Sequence, residues 1–323
     1  MTKMTISWLA AVSMLLIYSC DSALTHIKID SDITLNEIEL VPEGIAYSSN
    51  EHTLYLTSVA LRKIIAVDLS TGEQRDFISE AQYEYPPGVG ILANDDTNEL
   101  YALGGFWPTP DTQTGLYIFD LSSGQLKNKV NVTREGEYFF NDLIDDNQGN
   151  LYITDTKASM VWKYNDIDGL SSFYESEEIA SPNGIAIDDD HRLLYVASYL
   201  KGVRIIDIHS KQVLNESDTS GASNGIDGLE FYKGDLYGIQ NAVAGVGFSF
   251  RQLHLNEAGD AVEGVTILED DQYKLDVPLT FCLVNDQAVI IGNSNLEHLD
   301  QATLKFPNPD SLRRTELIIH NLP

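Results

Sequence analysis

One phrase recurs along this 323-residue chain. An oxygen-bearing side chain precedes a short apolar strand, a polar turn follows, and a second strand then reads Leu-Tyr. Four copies are clear: Val41-Pro42-Glu43-Gly44-Ile45-Ala46-Tyr47, Phe140-Asn141-Asp142-Leu143-Ile144, Ser181-Pro182-Asn183-Gly184-Ile185-Ala186-Ile187 and Gly225-Ile226-Asp227-Gly228-Leu229. Weaker copies sit at Pro87 and about Thr280, so the anchors are 44, 54, 42, 44 and 53 residues apart. Each unit holds about four short strands separated by turn residues. A period of roughly 40–50 residues built this way is the mark of a β-propeller. The expected fold is all-β: a six-bladed β-propeller of four-stranded blades around a central channel.

The last unit is the least regular. It reads Phe281-Cys282-Leu283-Val284, Ala288-Val289-Ile290-Ile291-Gly292, Ala302-Thr303-Leu304-Lys305-Phe306 and Leu317-Ile318-Ile319-His320. A propeller ring must be closed by pairing its two ends. Residues 27–40 alternate apolar and polar side chains, as in Ile33-Thr34-Leu35-Asn36-Glu37-Ile38-Glu39-Leu40, and are the candidate strand for that closure. Residues 27–323 are therefore expected to form a single propeller domain.

The chain ahead of residue 27 reads differently. Lys3 gives a positive start, and residues 6–18 are an apolar run, too short to span a bilayer but suited to a signal segment. It ends Ile17-Tyr18-Ser19-Cys20, which resembles a bacterial lipoprotein box, with Tyr18 bulky for its place. Residues 1–19 are expected to be a lipoprotein-type signal peptide, Cys20 the lipidated residue, and residues 20–26 a tether. The expected location is the cell envelope, periplasmic or surface face, with ordinary secretion as the alternative. Cys282 would then be the one free thiol of the mature chain, a buried structural cysteine in an apolar strand. The formal net charge of −29 repels phosphate backbones, which argues against a nucleic-acid partner, and leaves the membrane to the anchor at Cys20.

Innermost propeller strands line the channel, so residues at their starts converge at one mouth. Glu43, Asn141, Asn183 and Asp227 supply two carboxylates and two amide carbonyls there. That all-oxygen set suits a hard divalent cation, Ca²⁺ first and Mg²⁺ or Mn²⁺ next, and suits Zn²⁺ badly. Asn-Gly and Asp-Gly are also ordinary turn dipeptides. Four oxygen donors at matching repeat positions are harder to assign to turns alone.

In that order and context, the four residues resemble the senescence marker protein/gluconolactonase/luciferin-regenerating-enzyme-like family of six-bladed propellers, with paraoxonases and diisopropylfluorophosphatase as distant relatives. The resemblance spans about residues 40–300 and is strongest at Pro182-Asn183-Gly184 and Leu194-Tyr195-Val196. It implies a divalent ion at the channel mouth and a small-molecule lactone or ester substrate, hydrolysed by water. Asp227 would be the general base, or equally only a ligand. The chain departs from the paraoxonases in having no histidine between His52 and His191, which disfavours their histidine dyad.

Three further features call for comment. Gly104-Gly105-Phe106-Trp107-Pro108 is inserted in the second unit, where Phe106 and Trp107 fit both a substrate wall and loop packing. Asp166-Ile167-Asp168-Gly169 partly matches a calcium loop, but Tyr164 holds the first ligand position and strands flank it, so a turn is expected. The acidic hairpins Asn94-Asp95-Asp96, Asp145-Asp146-Asn147 and Asp188-Asp189-Asp190 read as exposed turns. Fold does not decide function, so two readings stand: a metal-dependent lactone or ester hydrolase, and a non-enzymatic envelope propeller binding a protein or glycan around a structural metal.

Overall fold

The computed structural model describes residues 27–105, 114–216, 222–241 and 247–323. Cys20 and the Phe106–Trp107 pair lie outside the described residues. Six antiparallel sheets surround a central channel. Their inner strands are Pro42–Ser48, Gly88–Asn94, Phe140–Asp145, Pro182–Asp188, Ile226–Tyr232 and Phe281–Val284, taken below as blades one to six. Each inner strand contacts the next around the ring, and blade six contacts blade one. Among the described residues, five sheets have four strands and blade four has three, with a single Ile206–Val213 bridge beyond its third.

The Leu-Tyr strands explain the stacking. Thr53–Ser58 and Leu193–Ser198 are buried at every residue, because a second strand lies between its own sheet neighbours and the faces of the adjoining blades. Tyr55, Tyr152, Tyr195 and Tyr237 are all fully buried. Tyr195 stacks on Phe231 of blade five with ring centres 5.7 Å apart. The apolar clusters straddle blade boundaries: Ala46, Tyr55 and Ile64 of blade one pack with Ile91, Leu100 and Tyr117 of blade two. Each such side chain contributes about 1.5–3 kcal/mol when fully buried. Outer strands such as Leu126–Asn131 are polar and largely open, as an edge facing solvent must be.

The ring closes in blade six, whose fourth strand is Ile33–Thr34 from the N-terminal side, paired with Glu316–Asn321. The closing strand is far shorter than residues 27–40, although side chains extend its hold. Gln287 accepts from the Ile29 N–H at 2.8 Å and donates to the Ile29 carbonyl at 3.0 Å, while Asn285 donates to the Ile27 carbonyl at 2.7 Å. Residues 302–306 do not form the strand expected of them. The Asp300 carboxylate takes the Ala302 and Thr303 N–H groups at 3.0 Å each, which bends the backbone into a turn, and the third strand is Glu316–Asn321.

The acidic hairpins do more than turn. Asp95 of blade two accepts from the Ser49 N–H and hydroxyl of blade one at 2.8 and 2.7 Å, and from Ser48. Asn94 donates to Asp145 at 2.6 Å and Asn147 to Asp189 at 2.8 Å, so adjoining blades are clasped in series. Asp166-Ile167-Asp168-Gly169 is the hairpin between Met160–Asn165 and Gly169–Glu175, held by Asn165 accepting from the Ile167 and Asp168 N–H groups.

Candidate metal centre at the channel mouth

In five blades the register between first and second strands slips at the same place. The breaks fall between Pro42 and Ile45, Gly88 and Ile91, Phe140 and Leu143, Pro182 and Ile185, and Ile226 and Leu229. Glu43, Asn141, Asn183 and Asp227 each sit inside that slip. A β-bulge re-aims the side chains it carries, and here it turns the donor position toward the axis. Two residues earlier the backbone is left-handed in three blades: Val41 at φ 46°, Ser181 at 53° and Gly225 at 72°. For a β-branched valine this is a strained conformation, costing on the order of 1–3 kcal/mol, and such strain gathers at functional sites.

The glycine after the donor has a steric cause. A Cβ on Gly184 would stand 2.2 Å from the Asp227 carbonyl, and one on Gly44 2.3 Å from that of Val89. The blades meet too closely there for a side chain. Blade three has Asp142 in that place, with its carboxylate taking the Leu143 N–H at 2.9 Å and the blade-four Ile185 N–H at 3.3 Å. Threonines lock the same level: Thr154 donates to the Asn183 carbonyl and Thr57 to the Val89 carbonyl, both at 2.7 Å.

All four expected donors line one cavity of about 200 Å³, together with Asp142, Glu230 and Cys282. Asn141 and Asp227 are buried. Asn141 donates through its side-chain amide to the Thr156 hydroxyl at 3.0 Å, and Thr156 donates to the Pro182 carbonyl at 2.7 Å. With the threonine proton committed, Asn141 must offer nitrogen to it and keeps its carbonyl oxygen for the channel. Asn241 donates to Asp227 Oδ2 at 2.7 Å, and Asn183 also hydrogen-bonds that carboxylate.

The electrostatics are those of acids without counter-charge. Burial, then Asp227 and Asp142, push Glu43 well above the usual carboxylate range. Burial raises Asp142 and Asp227 to about 7, and burial with Asp142 raises Glu230 to about 8. Burial and then Glu230 push the Cys282 thiol up, which suits the buried, inert thiol expected. No lysine, arginine or histidine lines the cavity among the described residues. Among the described residues, no three His, Cys, Asp or Glu side chains are grouped to hold a metal, so any full set there draws on the asparagines. The mutual repulsion of Glu43, Asp142 and Asp227 and the freed Asn141 oxygen fit a hard divalent cation.

Sequence reasoning missed Asp142, Glu230, Thr156 and Asn241. Two left a signal as departures from the repeat. Asp142 stands where Gly44, Gly90, Gly184 and Gly228 stand elsewhere, and Glu230 where Ala46, Leu92, Ile144 and Ala186 do. His191 bonds Asp188 at 2.7 Å in its turn and is half-exposed, away from the cavity.

The profile of the SMP-30/Gluconolactonase/LRE-like region matches residues 41–229, which contain all four bulge donors. The chain belongs to this family. No curated protein sequence matches it. Solved structures with the same fold include a gluconolactonase from Xanthomonas campestris, 14% identical over 91% of this chain and 88% of its own, with TM-score 0.58. A calcium-binding regucalcin from Agrobacterium tumefaciens is 14% identical over 91% and 95%, with TM-score 0.58. The PQQ-bound aldose sugar dehydrogenase of Streptomyces coelicolor is 14% identical over 90% and 98%, with TM-score 0.59. Their differing chemistry shows that these likenesses speak to the fold alone.

Proposed function

We propose that this family member is a divalent-cation-dependent hydrolase of lactones or related esters, with calcium as the first candidate ion. The observation that carries the reading is the convergence of Glu43, Asn141, Asn183 and Asp227 on one cavity with no lysine, arginine or histidine among its described lining residues. Family membership supports it, as do a gluconolactonase and a calcium-binding protein among structures of like fold.

Glu43, Asn141, Asn183 and Asp227 would hold the ion through oxygen. The chemistry a bound divalent ion supplies is polarisation of the substrate carbonyl and stabilisation of the developing oxyanion. The rest falls to the chain. Asp227, with Oδ2 engaged by Asn241, is the carboxylate that would take a water proton. The Thr156–Asn141 bond holds the second amide oxygen in position. In this reading Cys20 carries lipid and holds the domain at the cell envelope, which fatty-acid labelling of wild type and Cys20→Ser tests.

The deciding assay is hydrolysis of glucono-δ-lactone and simple aryl esters with and without chelator. The reading expects turnover that chelator abolishes, that added Ca²⁺ restores, and that Asp227→Asn loses. Metal-loaded protein inert toward every lactone and ester tried, with an Asp227→Asn variant still binding an envelope protein or glycan, would establish the non-enzymatic reading instead.

A further inference from the structure

We infer that Asn241 positions Asp227, setting which of its oxygens faces the centre; the inference rests on the cation-centre reading above.

The repeat itself singles Asn241 out. In each of blades one to five, the residue just past the second strand donates its backbone N–H to the residue two before the bulge position, which Val89 holds in blade two. These pairs are Val59 to Val41, Gly105 to Pro87, Thr156 to Phe139, Tyr199 to Ser181 and Asn241 to Gly225, at 2.9–3.1 Å. Val59, Gly105, Thr156, Tyr199 and Asn241 are therefore equivalent points on the rim. Two of them reach the donor of their own blade through the side chain as well: Thr156 to Asn141 and Asn241 to Asp227. Tyr199 hydrogen-bonds the Asn241 side chain from blade four.

Both ends of Asn241 are thus tied to the same bulge. Its backbone holds Gly225 at 2.9 Å and its amide nitrogen holds Asp227 Oδ2 at 2.7 Å. The amide's orientation follows from charge, because its oxygen turned toward Asp227 would face a carboxylate. That oxygen instead lies buried with no hydrogen-bond partner among the described residues. A buried unpaired carbonyl costs free energy, and the chain retains it where the amide nitrogen meets Asp227. Groups that orient a metal ligand from behind are worth about 10–100-fold in metal affinity.

The test is Ca²⁺ affinity, read by competition against Tb³⁺ luminescence on the full-length protein, beside melting in excess chelator. Asn241→Ala removes the donor, and Asn241→Leu removes it while keeping the volume. Both are expected to weaken Ca²⁺ about 10-fold or more with the chelated melting point unchanged, whereas Asp227→Asn loses Ca²⁺ binding outright. Wild-type affinity in both Asn241 variants, with Asp227→Asn still deficient, overturns the inference and leaves the centre standing. Lowered melting with unchanged affinity, or failure of both variants to fold, makes Asn241 structural and overturns it too. A wild-type protein that binds neither Tb³⁺ nor Ca²⁺ removes the centre itself and the inference with it.

Discussion

The Asn141 side-chain amide donates to the Thr156 hydroxyl at 3.0 Å, and this one bond decides which end of Asn141 the channel sees. Thr156 has already given its proton to the Pro182 carbonyl at 2.7 Å. The asparagine is left with an oxygen to offer. A hard cation needs that end, and a reversed amide would repel it.

Thr156→Val should therefore weaken Ca²⁺ about 10-fold by freeing Asn141 to turn, and Thr156→Ser should restore most of it. Calcium titration calorimetry on the three proteins checks this. Equal affinities in all three would show that the Thr156 bond does not orient Asn141.

Buried acids without a counter-charge give the metal-free protein a definite pH dependence. Asp142 and Asp227 are raised to about 7 and Glu230 to about 8. Between their ordinary range near 4 and these values, the folded state binds more protons than the unfolded one, so stability falls as pH rises. The share of that slope due to these three carboxyls ends above about 8. Thermal melting in chelator should thus show a more stable protein at pH 5 than at pH 8. Added Ca²⁺ should raise the midpoint far more at pH 8, where the ion displaces fewer protons. A calcium shift of equal size at both pH values would contradict this.

Gly184 lies where blades four and five nearly touch. Gly184→Ala puts a Cβ 2.2 Å from the Asp227 carbonyl and should cost about 1–3 kcal/mol, by forcing the backbone apart. It should also lower Ca²⁺ affinity, because the displaced carbonyl belongs to a proposed ligand. Gly264→Ala meets only His254, at 3.6 Å, and should be close to neutral. Denaturant unfolding of the pair checks both.

The clasp opposite the mouth makes a separate prediction. Asp95→Ala strips partners from Ser48 and from the Ser49 N–H and hydroxyl. It should cost about 1–3 kcal/mol while leaving Ca²⁺ affinity as it was. Loss of affinity would mean that the two ends of the channel are coupled.

How much of this was legible beforehand follows from what repetition can carry. Glu43, Asn141, Asn183 and Asp227 stood out because four copies of one phrase differ only in which oxygen they present, and a period of 40–50 residues leaves few folds open. The bulge was not legible, since a one-residue slip in pairing depends on the partner strand. Neither was the inter-blade role of Asp95, Asp145 and Asp189, because an Asp in a hairpin reads the same whether it caps its own turn or clasps its neighbour's. Residues 302–306 looked like a strand from apolar content alone, and Asp300 overrode it locally. Thr156 and Asn241 carry no motif and emerge only when the rim positions of the blades are superposed.

One divalent ion is expected among the four bulge residues. A crystal structure of the protein in Ca²⁺, with anomalous scattering used to place the ion, tests it most directly. The expected result is a single strong peak at the channel mouth, with oxygens of Glu43, Asn141, Asn183 and Asp227 about 2.3–2.6 Å away. A mouth without a peak at saturating Ca²⁺, or an ion held by other residues, would contradict it.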